Sequence, residues 1–267
     1  MNDQQSFAKL LTAIQPWRDQ LILIGGWCHR LHRLHKDALK QNHEVVYTRD
    51  TDLLIKERPA ADQNILAQLE QLGFKAVMGG GQAPPATHYY LGEEGVGFYA
   101  EFLLPWRPQR HPTPTETVAG VVAQQVKRVD VLTVDPWIVR VGQTDEFKLD
   151  APMDVLVANP LSFLVQKFLI KQDRRSNDKR AQDLLYVHDT LQVFPHLFDD
   201  FQESWAKVIA PALSDKEVAT IKEEWQRSFL AEGDIATTAA AIGQDRNLTA
   251  QGIQAVLNHA YNEIINP

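Results

Sequence analysis

The chain has 267 residues, of which 44% are hydrophobic and 23% charged, enough to bury the core of one large domain or two small ones. Its formal net charge of -7 argues against a protein coated in positive charge for nonspecific nucleic-acid binding, although it leaves room for a local basic patch. The single cysteine, Cys28, excludes an internal disulfide and a cysteine-rich zinc site, which fits a reducing cytosol. The N-terminus has no basic region leading into an apolar stretch, and no uncharged run approaches the roughly 20 residues of a membrane helix, so we expect a cytoplasmic protein.

The chain begins with a predicted helix, a buried strand and a second helix. Apolar residues recur at helical spacing over residues 7–14, and the unbroken apolar run 21–24 predicts a strand. A second apolar face predicts a helix over residues 27–40, which starts at Gly25 and Gly26. The order so far is helix, strand, glycine turn, helix.

Strand and helix patterns then alternate up to about residue 103, which predicts a mixed α/β region. The predicted elements are extended segments at 45–47 and 51–55, a helix at 65–72 capped by Gly73, a strand at 74–78, and a hairpin of strands at 87–91 and 97–103.

The rest of the chain changes character twice. Four prolines between residues 105 and 114 predict an exposed loop, and residues 129–134 and 137–141 are interpreted as short strands. From Asn159 onward the apolar residues recur at helical spacing only. We therefore expect a catalytic-type domain at residues 1–154 and a helical domain at residues 155–267.

The glycine pair and the following acids form the most informative pattern. Gly25 and Gly26 have no side chains to keep a triphosphate from the backbone, and the next helix offers free N–H groups and a positive dipole end. Asp50 and Asp52 lie two residues apart, so on a strand they point to one face and can together hold Mg²⁺. Two such ions clamp the attacking and leaving oxygens of a phosphoryl transfer. An Asp-x-Asp triplet alone arises by chance about once or twice in such a chain, so the surrounding strand, glycines and helix carry the prediction.

A third carboxylate is expected from a neighbouring strand, as two-metal sites require. Glu101 and Asp130 each stand inside an apolar run, where an isolated charge is costly unless it is paired or bound to a metal. The local pattern does not choose between them.

These residues resemble the DNA polymerase β-like nucleotidyltransferase superfamily, and more closely the bacterial proteins related to abortive-infection toxin nucleotidyltransferases. The matching pieces are Gly25-Gly26-Trp27, Thr48-Arg49-Asp50-Thr51-Asp52-Leu53-Leu54, Glu101-Phe102-Leu103-Leu104-Pro105, Val155-Leu156-Val157-Ala158-Asn159-Pro160, Lys167, and Lys179-Arg180-Ala181-Gln182-Asp183-Leu184. The resemblance implies an α+β nucleotidyltransferase fold, a mixed sheet flanked by helices, followed by a helical C-terminal domain. It also favours Glu101 over Asp130 as the third metal ligand, because the family has an acid before Phe-Leu-x-Pro.

The resemblance further implies that Lys167, Lys179 and Asp183 belong to the catalytic site. The other residues assigned to the nucleotide are Gly25, Gly26, Thr48, Arg49, Lys171 and Arg175. The residues themselves agree in part, since residues 167–180 hold the densest basic cluster of an acidic chain, suited to a triphosphate or an RNA backbone. In the alternative interpretation this is a solvated helical face, with Lys179 and Asp183 as an ordinary i,i+4 pair. Ser176 is predicted to cap the helix that carries both.

Two other motifs are set aside. His29, His32 and His35 flank the apolar face of their helix without a matching carboxylate, so we interpret them as no metal site. The run 79–81 lacks the Gly-Lys-Ser/Thr ending of a P-loop and is interpreted as a connection.

The sequence thus predicts a nucleotidyltransferase that uses Mg²⁺, with two ions expected, and moves a nucleoside monophosphate from an NTP to an acceptor hydroxyl. The resemblance makes the 3′ end of tRNA the first acceptor to test and, for a toxin, implies an antitoxin partner. A protein hydroxyl or an aminoglycoside-like small molecule stays open as acceptor. The alternatives are a nucleotide-binding protein without catalysis and a nuclease that uses the same acids.

Overall fold

The computed structural model describes residues 2–46, 48–60, 62–79, 86–93, 97–108, 113–142, 146–174, 176–230, 234–243 and 246–266. The chain divides into two compact units. The first consists of Met1–His35 and Tyr47–Ala158, and the second of Lys36–Val46 and Asn159–Pro267. The predicted domain boundary between residues 154 and 155 stays a prediction.

The first unit is a sheet with helices. Its helices and strands are α1 (Asp3–Ile14), a 3₁₀ turn (Gln15–Trp17), β1 (Leu21–Ile24), α2 (Gly25–His32), β2 (Asp50–Ile55), α3 (Ile65–Gln71), β3 (Phe74–Met78), β4 (Thr87–Leu91), β5 (Phe98–Pro105), β6 (Thr115–Val118), β7 (Val121–Val126), a 3₁₀ helix (Asp130–Thr133), β8 (Trp137–Val141) and β9 (Met153–Val157).

The strands of the described residues form one nine-stranded sheet in the order β3-β4-β5-β2-β1-β9-β8, while β7 pairs with β5 and β6 with β7. The pairing is mixed: β2 lies parallel to β5 and antiparallel to β1, and β1 lies parallel to β9. The fold is therefore α+β with a mixed sheet, and this prediction is confirmed.

The two faces of the sheet differ in burial. Thr51 and Ala100 are neighbours in the β2–β5 register, and both are fully buried. Helices α1 and α2 cover this face, where Phe7 stacks on Trp27 at 4.1 Å between ring centroids and Trp27 meets the edge of Phe98 at 5.8 Å. Fully burying a large apolar side chain stabilises the fold by roughly 1.5–3 kcal/mol. Side chains alternate along a strand, so the polar residues between these positions point to the opposite face.

The second unit is helical. Its elements are α4 (Pro160–Ile170), a 3₁₀ turn (Lys171–Asp173), α5 (Asn177–Val193), a 3₁₀ turn (Pro195–Leu197), α6 (Phe198–Ser204), a π-helical turn (Trp205–Ile209), a 3₁₀ turn (Ala210–Ala212), α7 (Asp215–Leu230), α8 (Asp234–Ile242), α9 (Ala250–Ala260) and a π-helical turn (Tyr261–Ile265). Its core contains Phe168 stacked on Trp225 at 4.7 Å, and Trp225 Nε1 donates a hydrogen bond to Leu257 O at 3.0 Å. None of the described helices is long and apolar enough to cross a membrane.

Helix α2 is shorter than predicted. It ends at His32, whereas the apolar spacing predicts a helix up to residue 40. In the second unit, the N–H of Leu39 donates to Val193 O at 2.9 Å, and Gln41 Nε2 donates to Gln192 O at 3.0 Å. The segment thus binds the end of α5 instead of continuing as a helix, because tertiary contacts override a weak helical preference.

The middle of the chain differs most from the prediction. Where a strand is predicted at residues 129–134, the structure has the 3₁₀ helix Asp130–Thr133, while β6, β7 and β9 are strands that the sequence does not predict. Between β6 and β7, Ala119 has φ 48° and Gly120 has φ 81°. Two successive positive φ values are typical of a type I′ hairpin turn, which here lacks its usual Asn-Gly signature.

Candidate functional site

The predicted acids lie on the face of the sheet opposite α1 and α2. In the parallel register of β2 and β5, Asp52 stands beside Glu101 and Asp50 beside Tyr99. Neighbouring strands are about 4.8 Å apart, so the three carboxylates project from adjacent strands into one region. Asp130 instead lies exposed in a 3₁₀ helix, so it lacks the burial that made it a candidate.

The glycine pair forms the first turn of α2, directly after β1. Gly25 has φ +66°, a backbone conformation that side chains disfavour, and a Cβ there would stand 2.3 Å from Asp52 Oδ2. The Asp52 carboxylate therefore lies against the backbone at the start of α2, where Gly26 follows. The first N–H groups of a helix have no partner within it and form a positive end suited to anions. The turn and the acids are thus adjacent.

The acids affect the protonation of Glu101. Burial, together with the negative charges of Asp52 and Asp50, raises the pKa of Glu101 to about 8. Burial and the same three carboxylates also raise the pKa of Tyr99. Like charges held together in this way favour binding of a cation or a proton.

The donor set suits a hard divalent cation. Mg²⁺ prefers carboxylate oxygens, and Asp50, Asp52 and Glu101 supply these from two adjacent strands. In the described part of the chain, no three His, Cys, Asp or Glu side chains converge closely enough to hold a metal as they stand. Glu101 Oε1 lies 2.9 Å from His88 Nε2, without the alignment of a hydrogen bond. The residue types fit the ion, and the side chains must turn to bind it.

The two residues before β2 differ in their contacts. The Thr48 hydroxyl donates a short hydrogen bond to Asp50 Oδ1. Arg49 is exposed. Thr48 thus orients one acid.

In the second unit, Lys167 and Asp183 form a buried ion pair. Lys167 of α4 is 7% exposed, and its Nζ lies 2.8 Å from Asp183 Oδ1 of α5. Arg174 Nε donates to the other carboxylate oxygen at 2.7 Å. Burial alone raises the pKa of Asp183, but the charges of Lys167 and Arg174 outweigh it, so its pKa is lowered. The i,i+4 pairing of Lys179 with Asp183 is therefore wrong, because Asp183 pairs with two other cations.

The other predicted cations of this unit have different surroundings. Lys179 is exposed in the first turn of α5, where the Ser176 side chain caps the helix as predicted. Lys171 Nζ lies 3.4 Å from Glu224 Oε2, and burial lowers the pKa of Lys171 despite that partner. Arg175 lies outside the described residues.

A small, shallow cleft opens beside these residues within the second unit. The residues that line it are Lys167, Phe168, Lys171, Arg180, Asp183, Leu184 and Val187. Three cations and one carboxylate line it, so its charge suits an anionic group.

His88 and Arg174 were not predicted as site residues. His88 lies on β4 opposite Glu101, a position that follows from the register of the predicted hairpin once its turn is known. Arg174 belongs to the predicted basic cluster, but its contact with Asp183 is tertiary and leaves no local signal.

Two of the three histidines set aside as metal ligands, His29 and His32, are fully buried. The Nε2 of His32 lies 2.8 Å from Ala158 O, and burial lowers the pKa of His32 to about 4. Residues 80 and 81 of the predicted glycine loop, and 94 and 95 of the hairpin turn, lie outside the described residues.

Comparison with known proteins gives a family match and two weak structural similarities. The family model for nucleotidyltransferases matches residues 2–210. The chain is similar to an antigenic nucleotidyltransferase-like protein from Paracoccidioides brasiliensis, at 14% identity over 96% of this chain and 92% of that one, with a TM-score of 0.41. It is also similar to JHP933 from Helicobacter pylori, at 10% identity over 99% of this chain and 92% of that one, with a TM-score of 0.44. These two likenesses are too weak to support a functional conclusion, and no curated protein gives a significant match.

Proposed function

This chain belongs to the nucleotidyltransferase family, and from that premise we propose that it transfers a nucleoside monophosphate from an NTP to an acceptor hydroxyl in a Mg²⁺-dependent reaction. The observation that carries the proposal is the placement of Asp50, Asp52 and Glu101 on adjacent strands beside the glycine turn that starts α2. A triphosphate seat and a set of oxygen ligands stand next to each other there.

Each residue of the first unit has a distinct role in this proposal. Gly25 and Gly26 let the triphosphate approach the first turn of α2, while Asp50, Asp52 and Glu101 hold two Mg²⁺ ions. Bound Mg²⁺ supplies the positive charge that neutralises the developing phosphate charge. Thr48 orients Asp50 through its hydroxyl, and Arg49 is free to reach a phosphate from its exposed position.

The reaction is a displacement at the α-phosphorus. The acceptor oxygen forms a bond to that phosphorus as the bond to the β-phosphate oxygen breaks, and pyrophosphate leaves with the bonding electrons. Glu101 accepts the proton of the attacking hydroxyl, because it is the carboxylate farthest across the sheet from the glycine turn.

The cations of the second unit enter this proposal through the family resemblance alone. It assigns Lys167 and Lys179 to phosphate charge, and Lys171 and Arg175 to the nucleotide. Asp183 holds the buried Lys167 ammonium in place through their 2.8 Å contact. Lys179, which is exposed, is free to meet a ligand.

The acceptor that we propose to test first is the 3′ end of tRNA, in the cytoplasm. The resemblance to abortive-infection toxin nucleotidyltransferases supports this choice. If the chain is a toxin, an antitoxin protein must restrain it. Unrestrained expression of the active protein is then expected to stop growth, and normal growth contradicts the toxin assignment.

The decisive experiment follows label from each α-³²P-labelled NTP, with Mg²⁺, into the RNA, protein and small-molecule fractions of a cell extract. The wild type is compared with Asp52→Ala and with the control Asp154→Ala, whose carboxylate is exposed and paired with Arg140. Label in one fraction that only Asp52→Ala abolishes supports the transfer and identifies the acceptor class. Binding of NTP without transfer to any fraction favours a nucleotide-binding protein, and cleavage of RNA without release of pyrophosphate favours a nuclease.

A further inference from the structure

A small pocket of the first unit lies where three strands end, and we call it the strand-end pocket. Strand β2 runs parallel to β5, and β5 runs parallel to β7, so the carboxyl ends of all three strands meet on one side of the sheet. The pocket has a volume of about 50 Å³, which is room for several water molecules or one compact group. Ligands commonly bind outside the carboxyl ends of parallel strands, so its position suits a ligand.

The strand-end pocket is separate from the acids. Asp50 begins β2, whereas Ile55, which lines the pocket, ends that strand. At about 3.3 Å per residue, these two positions stand roughly 17 Å apart. On β5, the lining residues Leu104 and Pro105 likewise stand at the end of the strand, beyond Glu101. The pocket and the proposed reaction centre are therefore different places in the first unit.

The lining of the strand-end pocket is mainly cationic. Lys56 and Arg58 follow β2, Arg107 follows β5, and the carboxylate of Glu116 on β6 also lines the pocket. Together these side chains carry a formal charge of +2, in a chain whose net charge is -7. Glu57 lies 3.3 Å from Lys56, but it is largely exposed, and exposed ion pairs are weak. The pocket thus attracts an anion.

Glu116 holds the Arg58 guanidinium in a fixed position. Two N–H groups of Arg58 donate to the two carboxylate oxygens of Glu116, one of them at 2.8 Å. The hydrogen bond from Arg58 lowers the pKa of Glu116, and the charges of Arg58 and Arg107 lower it further against the effect of burial. A guanidinium carries more N–H donors than these two, so others remain for a ligand. Arg58 is therefore oriented by one anion and able to bind a second.

The ends of β5 and β7 add further donors. The backbone N–H of Arg107 donates to Gln125 Oε1 at 3.4 Å. This contact orients the Gln125 amide and leaves its Nε2 group as a donor. The Arg107 side chain is exposed, so it can turn towards a ligand at little cost. The pocket thus combines N–H donors from the ends of three strands, namely those of Arg58, Arg107 and Gln125.

We propose that the strand-end pocket binds a phosphate group of a small molecule, as a second ligand site distinct from the reaction centre. This inference does not depend on the proposed function. A formal charge of +2 matches a phosphate dianion better than a single carboxylate. Guanidinium groups bind phosphate oxygens through parallel N–H···O bonds, and two arginines line this pocket. Inorganic phosphate and the phosphate of a nucleotide share this chemistry.

Isothermal titration calorimetry of the full chain with inorganic phosphate in EDTA tests the proposal. Without divalent metal the carboxylates of the reaction centre repel an anion, so saturable binding is expected from the strand-end pocket alone. A parallel titration with a nucleoside 5′-monophosphate distinguishes the two sources. Tighter binding of the monophosphate indicates a nucleotide, and equal or weaker binding indicates inorganic phosphate.

Substitutions then assign the binding to the pocket. Arg107→Gln removes an exposed charge and is expected to weaken phosphate binding about tenfold, the effect of losing one hydrogen bond to a charged group. Arg107→Lys keeps the charge and is expected to lose less. The matched control is Arg140→Gln, an exposed arginine on β8, three strands from β2, which is expected to bind phosphate as the wild type does. Gly25→Ala, at the glycine turn, is expected to do the same. Thermal unfolding confirms that each variant is folded.

The inference is overturned if the wild type binds no phosphate, or if Arg107→Gln binds it as tightly as the wild type. An equal loss in Arg140→Gln shows nonspecific attraction, and a loss confined to Gly25→Ala assigns the phosphate to the glycine turn. Single-stranded RNA that binds through Arg107 where phosphate does not bind assigns the pocket to a phosphodiester backbone, which also overturns the inference. Failure of the proposed function is distinguishable, because phosphate then binds in the pocket while no label is transferred from NTP.

Discussion

The two charged groups of this protein are built on opposite electrostatic principles. In the first unit, Asp50, Asp52 and Glu101 are like charges on adjacent strands, and burial together with the two aspartates raises the pKa of Glu101 to about 8. In the second unit, Asp183 lies between Lys167 and Arg174, and these cations lower its pKa against the effect of burial. The first group gathers like charges, and the second pairs opposite charges.

This difference separates the proposed ligand site from a group whose charges pair within the protein. Holding like charges together costs stability, so a fold keeps such a group where binding or chemistry needs it. The acid group is therefore the proposed reaction centre. The buried ion pair positions a lysine and stabilises its own unit.

The largest expected effect on stability comes from removing the charge of Asp183, which pairs with Lys167 and Arg174. Asp183→Asn leaves the buried Lys167 ammonium without its anion, and is expected to lower the free energy of unfolding by about 3–5 kcal/mol. Urea unfolding measures this loss of stability. The matched change Asp50→Asn removes one of several like charges and is expected to raise stability while transfer is lost. Equal stability of Asp183→Asn and the wild type contradicts the comparison.

Adding a methyl group at Gly25 tests the contact between the glycine turn and the acids. Gly25→Ala forces a side chain onto φ +66°, at about 1–2 kcal/mol, and drives its Cβ against Asp52 Oδ2. The displaced carboxylate is expected to reduce transfer by two to three orders of magnitude, as loss of one aligned charged group does.

The control for this substitution is Gly73→Ala. Gly73 also has a positive φ, at +90°, but its added Cβ meets only Leu91 Cδ1 at 3.6 Å, an ordinary contact. Both variants are expected to lose similar stability in thermal unfolding, while only Gly25→Ala loses transfer. Similar activity losses in the two variants would contradict the proposed role of Gly25.

The charge imbalance of the acid group predicts a pH dependence in the absence of divalent metal. The pKa of Glu101 is about 8 in the folded protein against an ordinary 4.5, so the folded state binds more protons between these pH values. Stability is therefore expected to fall as pH rises from 4.5 to 8, by at most about 1.4 kcal/mol per pH unit from this group. Urea unfolding in EDTA across this range measures the slope, and Glu101→Gln is expected to flatten it. A slope unchanged in Glu101→Gln assigns the effect to other groups.

The smallest expected effect belongs to Lys179. Its exposed side chain predicts a change in unfolding free energy within about 0.5 kcal/mol for Lys179→Ala. If it contacts the nucleotide as proposed, the same variant raises the KM for NTP. Unchanged KM and stability together would remove Lys179 from the site.

Local pattern predicts the parts of the molecule that depend on near neighbours in sequence. The apolar run at β1, the glycine turn and the alternation of Asp50 and Asp52 on β2 each follow from spacing of a few residues. The cap at Ser176 and the hairpin that holds Glu101 are of the same kind. Asp50 and Asp52 are therefore readable from local pattern, whereas the choice of Glu101 over Asp130 comes from the family resemblance. Whether these acids bind metal stays a prediction.

Contacts between distant segments are not readable in this way. The pairing of Asp183 with Arg174 depends on how the chain turns between α4 and α5. The position of the segment after α2 is another case, since the N–H of Leu39 donates a hydrogen bond to Val193 O, far along the chain. The hairpin of β6 and β7 has a turn without its usual residues, so only its backbone conformation reveals it.

The contact between Leu39 and Val193 also affects how the two units are synthesised and whether each can be expressed alone. Residues 36–46 leave the ribosome early, yet they belong to the second unit, most of which is synthesised after residue 158. The segments of the two units therefore alternate along the sequence. A gene fragment beginning at Asn159 would lack residues 36–46, which bond to the end of α5. A fragment ending at Ala158 would carry this segment without the helix that it contacts. Engineers who wish to express either unit alone must move this segment, by excision from the first or by a linker to the second.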